Sequence, residues 1–330
     1  MSILNYLHSA PWFLPVRVFL SQVYALLVWG RHMLYDLGIF KTHQIKTKVI
    51  SIGNISAGGS GKTILVQSLV EYFLGRSIRP VVLSRGYGRS SRGVVVAADE
   101  KEVKAPVKAI GDEPFLIATN FPGLPVVVAE DRVSGARYIE SRFDCDVILL
   151  DDGFQHRRLH RDLDILLLDF PAHETQHLLP WGNLREPLVN RDRADLIVYS
   201  KAGVLKDGDS NLVLEPKSYV EDHAGRHRLL TELIGNYGVF AGLGKPEQFF
   251  QQIEGLLGPA KVRLVFPDHT EYDPRKTAEI AWQDCDYWIT TQKDYIKLDP
   301  SFCEGNQIFC MGVHGRMPDT LKDHLKRHFN

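Results

Sequence analysis

The chain has 330 residues, 44% hydrophobic and 24% charged, with a formal net charge of -1. That composition excludes collagen-like and disordered classes, allows two α/β domains or one elaborated domain, and gives no general attraction to nucleic acid. Four cysteines, Cys145, Cys285, Cys303 and Cys310, lack C-x-x-C spacing, which points to a reduced, cytosolic compartment with neither zinc nor a disulfide framework.

The first 48 residues set Arg17, Arg31, Lys41, Lys46 and Lys48 against one acid, Asp36, in a stretch dense in aromatic and aliphatic residues. Thirteen residues separate Arg17 from Arg31, too few for a spanning helix of about 20. No small-residue cleavage site follows a short apolar core, so export is not expected. Val16, Phe19, Leu20, Val23, Leu27 and Leu34 fall near one helical face, with Arg17, Gln22 and Arg31 elsewhere. That is the pattern of an interfacial helix, and equally of a helix packed on the protein's own core.

Val49–Ile52 reads as a buried strand, and Lys62–Leu74 recurs in apolar residues at helical spacing. Between them lies ISAGGSGKT, in which Ser56, Ala57, Gly58, Gly59, Ser60, Gly61, Lys62 and Thr63 form a nucleotide-phosphate cradle. Backbone N–H groups and a helix N-terminus point at an anion there, Lys62 reaches the β- and γ-phosphates, and the Thr63 hydroxyl suits Mg²⁺. Ser56 stands where the general pattern has glycine; Gly58 and Gly59 supply the backbone freedom. A second strand, Arg79–Ser84, runs into RGYGR with Arg85 and Tyr87, placed to receive an anionic group. Val107–Ile110 reads as a short strand, with Asp112 and Glu113 at its junction with a helix from Phe115 to Asn120. Acids there also suit simple helix capping.

Pro125–Ala129 is expected as a strand ending in Glu130-Asp131-Arg132, Ser134–Phe143 as its helix, and DVILLDD as a strand ending in Asp151 and Asp152. Paired aspartates alone suit a solvated turn; coupled to the glycine-rich loop they read as the second half of a Mg-nucleotide site. Gln155 and His156 follow in a basic loop. Strands Asp164–Leu168 and Leu196–Tyr199 flank an ordered loop, LPWGNLREPL, whose single base is Arg185. Gly203–Pro216 is rich in Gly, Asp, Asn and Lys and reads as a linker or excursion. Strands Tyr237–Ala241, Lys261–Phe266, Tyr287–Thr291 and Ile308–Met311 follow, with helices Pro246–Leu257, Pro274–Gln283 and Thr320–Phe329. The repeated strand and helix argue for a parallel sheet covered by helices. The expected organisation is an N-terminal membrane-surface helix region (1–45), a P-loop core (46–205), a linker (206–235) and a smaller C-terminal α/β domain (236–330).

In order along the chain, GNISAGGSGKT, SRGYGR, GDEP, EDR, DDGFQHR, LREPL, FAGLGKPEQFF and FPDH resemble one family, tetraacyldisaccharide 4'-kinase, the lipid A 4'-kinase of Gram-negative bacteria. The resemblance implies a P-loop NTPase-type fold and phosphorylation of the 4'-hydroxyl of a tetraacylated glucosamine disaccharide 1-phosphate. ATP and Mg²⁺ would serve that reaction at the cytoplasmic face of the inner membrane, with no nucleic acid and no obligate protein partner. Asp112 then stands as the general base, with His269 orienting it by analogy with the family. Thr63 with Asp151 or Asp152 would hold the metal, and Glu113 would join it or its water shell. Arg132 is a candidate phosphate clamp beside Lys62. Arg85, Tyr87, Gln155, His156 and Arg185 are candidates for nucleotide or lipid-headgroup contacts, with plain solvation the alternative for Arg85 and Arg185. The family pattern is departed from at Ile64, Trp181-Gly182-Asn183 and Gln292. The chief rival is a membrane-associated P-loop ATPase acting as a nucleotide switch; no guanine-reading run and no second signature lysine near Ala57 supports it. Another small-molecule kinase or ligase on the same fold is the further alternative.

Overall fold

The computed structural model describes residues 13–57, 61–169, 177–200, 210–244 and 246–329. Residues 1–12 of the expected N-terminal region, Gly58, Gly59 and Ser60 of the glycine-rich loop, and 203–209 of the expected excursion lie outside them.

Along the chain, helix α1 (Leu14–Asp36) precedes strand β1 (Lys48–Gly53), helix α2 (Lys62–Leu74), strands β2 (Pro80–Ser84) and β3 (Val95–Ala98), and helices α3 (Val107–Ile110) and α4 (Asp112–Asn120). Strand β4 (Val126–Val128), helix α5 (Arg132–Arg142), strands β5 (Val147–Asp151), β6 (Leu163–Asp169), β7 (Leu196–Ser200), β8 (Asn211–Glu221), β9 (His227–Leu229) and β10 (Tyr237–Ala241) follow. Helix α6 (Glu247–Leu257), strand β11 (Val262–Val265), helix α7 (Pro274–Ala281), strand β12 (Tyr287–Thr291), helices α8 (Gln292–Tyr295) and α9 (Pro300–Gly305), strand β13 (Ile308–Arg316) and helix α10 (Asp319–Phe329) complete it.

Two segments correct the sequence expectations. Val107–Ile110 is the helical turn α3, not a strand, entered from Pro106 and ended by Gly111; an apolar run of four residues does not separate the two by periodicity. Part of the expected linker is strand β8, whose first residues pair with β7 and whose last pair antiparallel with β9. Few of its side chains are buried, so hydropathy gave no sign of it.

The chain forms two compact units that interleave in sequence. One contains the described residues up to Arg85, Ala129–Val213 and those from Met317 onward; the other contains Gly86–Val128 and Leu214–Arg316. This differs from the expected division, since residues 86–128 group with the later part of the chain and α10 with the first unit.

In the first unit five parallel strands lie in the order β7-β6-β1-β5-β2. After Lys48, β1 is buried along its length, as expected of a central parallel strand covered on both faces. It pairs with β5 in a register that sets Ile52 opposite Asp151. The segment after β5 then crosses close to the end of β1: a Cβ on Gly53 would stand 2.4 Å from the Phe154 Cβ, so only glycine admits that approach. Helix α2 starts from Gly61 in the left-handed region and buries Leu65, Val66, Leu69, Val70 and Phe73. Asp131 caps α5 by accepting from the Val133 N–H. Helix α10 buries Leu321 and Leu325, and its Phe329 ring meets Phe73 edge-on at 5.0 Å.

Helix α1 lies on this unit by its polar side. Arg17 donates to the Pro180 and Trp181 carbonyls, the Ser21 hydroxyl to Leu178, Tyr24 to Arg185 and Arg31 to Gln155. His32, also buried, lies 3.2 Å from the Glu186 carboxylate. The residues Val16, Phe19, Leu20, Val23 and Leu27 point away and are exposed, joined by Leu26, Trp29 and Met33; Leu34 is half-buried. Among the described residues no helix is long and apolar enough to cross a membrane.

In the second unit the parallel strands run β11-β10-β12-β13. One core joins Val239, Phe249, Phe250, Ile253, Ile289 and Phe309; the other joins Phe240, Phe266, Ile280, Trp288 and Ile308. Strands β3 and β4 pair antiparallel, and α4 packs on both and on α8.

Phe73→Ala removes a buried ring between α2 and α10. It is expected to lower unfolding free energy by about 3–5 kcal/mol, measured by urea denaturation followed by circular dichroism.

Candidate active site

In the first unit the functional side chains gather at the carboxyl ends of adjacent strands, where open α/β sheets receive ligands. Asn54, wholly buried after β1, shapes the loop: its Oδ1 accepts from the Ser56 N–H at 2.8 Å and hydroxyl at 3.0 Å. The Ala57 N–H donates to the Asn183 carbonyl and the Arg185 N–H to Ile55, so the LREPL segment lies alongside this loop through the bridge between Ser56 and Leu184. Gln155, expected to contact ligand, donates its amide to the Asn54 carbonyl.

These contacts bring Lys62, Asp152 and Arg185 together. Asp152 accepts from the Arg185 guanidinium through both oxygens, at 3.0 and 2.9 Å, and lies 3.5 Å from Lys62 Nζ. Burial alone would raise its carboxyl pKa; Lys62, then Arg185 and Arg132, outweigh burial and hold it below the ordinary value. Its backbone is left-handed, φ 52°, a conformation uncommon outside glycine and tolerated best by Asp, Asn and His. Asp151, wholly buried, accepts from the Ser84 hydroxyl at 3.0 Å. Arg132 is buried, with Nη1 donating to the Glu130 carbonyl. His156 is pushed down to about 4 by burial and then by Arg132. Arg85 is exposed at the end of β2.

In the second unit, Gly111 takes φ 93° and a Cβ there would stand 2.9 Å from the Tyr87 carbonyl, so the RGYGR loop packs directly on the turn that launches α4. Asp112, in the first turn of α4, has Oδ2 3.1 Å from His269 Nδ1. His269 takes φ 58°, and its ring lies 5.7 Å from that of exposed Tyr87. Glu113 is half-buried beside Asp112.

Thr63, Asp151 and Asp152 offer hard oxygen donors only, the chemistry that suits Mg²⁺, which is held by one or two carboxylates together with phosphates and water. The donor set of the first unit therefore fits that ion. Among the described residues no group of three or more His, Cys, Asp or Glu is placed to hold a metal ion by itself, as a dedicated all-protein cage would require.

Two basic residues given no role in the sequence reading stand beside the Asp112–His269 pair. Lys297 Nζ is 2.7 Å from Asp112 Oδ2 and Lys293 Nζ is 2.7 Å from Asp268 Oδ1. Their i, i+4 spacing immediately after the carboxyl end of β12 is the signal that points to them. Asn54 likewise escaped notice, although it stands first after β1.

A parallel α/β sheet with a lysine, two aspartates and arginines gathered at its strand ends defines a phosphate-handling enzyme. Residues 13–330 match the family described as Tetraacyldisaccharide-1-P 4'-kinase. Tetraacyldisaccharide 4'-kinase of Geobacter metallireducens is 38% identical over 303 residues, covering 87% of this chain and 89% of that relative. The Syntrophus aciditrophicus relative of the same name is 37% identical over 323 residues, covering 88% of this chain and 86% of the relative. The crystal structure of LpxK from Aquifex aeolicus in complex with ATP is similar at TM-score 0.81 and 33% identity, covering 94% of this chain and 98% of that one. The chain belongs to the tetraacyldisaccharide-1-P 4'-kinase family.

His156 makes folding pH-dependent. Below its ordinary 6.5 the unfolded chain takes up a proton that the folded chain refuses down to about 4, so this contribution is complete above 6.5 and is lost as pH falls across that window. His156→Gln is expected to flatten the slope of stability against pH there, read from urea midpoints at successive pH values.

Proposed function

We infer that the protein transfers the γ-phosphoryl group of ATP to the 4'-hydroxyl of tetraacyldisaccharide 1-phosphate, giving the 4'-phosphorylated lipid A precursor. The observation that carries this is the family match over residues 13–330, joined by the fold shared with an ATP-complexed LpxK.

The glycine-rich loop, read as a P-loop, wraps the ATP phosphates, with Lys62 balancing their charge and Arg132 acting as a clamp supplied in cis. Thr63, Asp151 and Asp152, with Glu113 or its water shell, would hold Mg²⁺, which when bound neutralises charge on the β- and γ-phosphates. Arg185 orients Asp152 and is available to an incoming phosphate. Asp112 accepts the proton of the acceptor hydroxyl, and His269, 3.1 Å away, orients its carboxylate. Acid-base assistance of this kind contributes about 10²–10⁴-fold in rate. Arg85, Tyr87 and His156 stand as contacts for headgroup or nucleotide; Gln155 serves them by holding the loop to Asn54.

Helix α1 seats the enzyme on the cytoplasmic face of the inner membrane. Its polar side is spent on the protein, and its outward side is apolar, with Leu27 67% exposed. Each such side chain buried in acyl chains contributes about 1.5–3 kcal/mol, which suits a peripheral or monotopic attachment.

Purified protein in mild detergent with Mg²⁺, γ-labelled ATP and tetraacyldisaccharide 1-phosphate is expected to place label on the lipid. Asp112→Ala should lower turnover by at least about 10²-fold while retaining ATP binding by calorimetry; unchanged turnover removes Asp112 from the mechanism. Label released only as free phosphate, indifferent to lipid, would favour the ATPase switch. Replacing Phe19, Leu27 and Trp29 together by Ser should weaken co-sedimentation with anionic vesicles, while turnover in detergent stays near that of the parent protein.

A further inference from the structure

We propose that Lys297 is a positioning residue of the phosphoryl transfer, acting through Asp112. The proposal deepens the reading of Asp112 as the base and rests on it.

The Lys297 side chain is only 8% exposed, and its ammonium lies 2.7 Å from Asp112 Oδ2, itself on a carboxylate 18% exposed. Burying an ammonium is unfavourable unless a counter-charge meets it. Among the described residues Asp112 is the carboxylate that does so. The lysine therefore depends on Asp112, and the carboxylate is held from behind by a charge that solvent scarcely screens.

The turn that presents Lys297 is fixed at its base. Asp294, wholly buried, accepts from the Gly242 N–H at 2.9 Å and the Thr291 hydroxyl at 2.7 Å, and the Lys297 N–H donates to the Asp294 carbonyl. Four residues before Lys297, Lys293 pairs with Asp268 and stands 3.5 Å from His269 Nε2. Lys297 and His269 both approach Asp112 Oδ2, which leaves Oδ1 as the oxygen without a charged neighbour among the described residues. Rotation about the Asp112 side chain would break both contacts at once. Lys297 thereby fixes which oxygen faces the acceptor hydroxyl.

In the transfer, the acceptor O–H bond breaks, its proton passes to Asp112 Oδ1, and its electron pair forms the bond to the γ-phosphorus. The bond from that phosphorus to the bridging oxygen breaks and releases ADP. Lys297 touches none of these atoms. Its loss should therefore lower kcat, leaving the KM values for ATP and lipid nearly unchanged, since misplacement of a reacting group by about 1 Å costs roughly 10²-fold.

The experiment compares Lys297→Met, Lys297→Arg, Asp112→Asn and the Lys297→Met/Asp112→Asn double variant in the labelled-lipid assay, with ATP binding measured for each. Expected is a fall in kcat of roughly 10²-fold for Lys297→Met with both KM values held, partial recovery in Lys297→Arg, and no further loss when Lys297→Met is added to Asp112→Asn. A Lys297→Met enzyme with parental kcat, beside an inactive Asp112→Asn, overturns the proposal and leaves Asp112 as base. Equal losses in Met and Arg, or the same added loss in the Asp112→Asn background, overturn it as well. Full turnover in Asp112→Asn instead removes the base reading on which the proposal stands.

Discussion

The site of the first unit depends on one backbone relation, the parallel pairing of β1 with β5 that sets Ile52 beside Asp151. It fixes the loop after β1 and the aspartates after β5 as neighbours before any side chain is chosen. Phe154 then crosses over Gly53, Gln155 ties back to Asn54, and the Arg185 segment is strapped along the same loop. Asp152 is left facing Lys62 and Arg185 with its own backbone in a left-handed turn. That positive charge outweighs burial and holds the Asp152 carboxyl below its ordinary pKa.

Helix α1 inverts the usual rule for a surface helix. Hydrogen bonds from Arg17, Ser21, Tyr24 and Arg31 go to main-chain carbonyls of the loops that carry Gln155 and Arg185, and the aliphatic face is left uncovered. A helix of this kind is held by directional bonds on one side and offers a non-directional surface on the other. The same helix thus touches the backbone of the candidate site and leaves an apolar face uncovered.

The alternation of strand and helix was legible because parallel strands are near-continuous apolar runs, as in β1, β5 and β10, and α2 recurs in apolar residues at helical spacing. Legibility failed where those signals vanish. Val107–Ile110 is too short to show a period, and β8 is paired by backbone rather than buried by side chains. The order of motifs exposed Lys62, Asp112, Asp152 and His269, since each lies at a strand end or helix start. Lys297 was marked only by its spacing from Lys293 after β12: its meaning lies in a contact with a residue far away in sequence, and the base of its turn is a buried aspartate whose role is invisible without the fold.

The interleaving of the two units has a consequence for synthesis. The second unit draws on Gly86–Val128 and Leu214–Arg316, and the first is completed only by α10. Emerging from the ribosome, the segment bearing Asp112 has no β10 to β13 sheet to join until some two hundred more residues have followed, and Phe73 waits for Phe329 at the far end of the chain. Contacts over such separations carry loop-closure entropy and slow folding, and each unit is complete in sequence only once its later segments have been made. The exposed N-terminal helix is translated long before the segment that sets His269 beside Asp112.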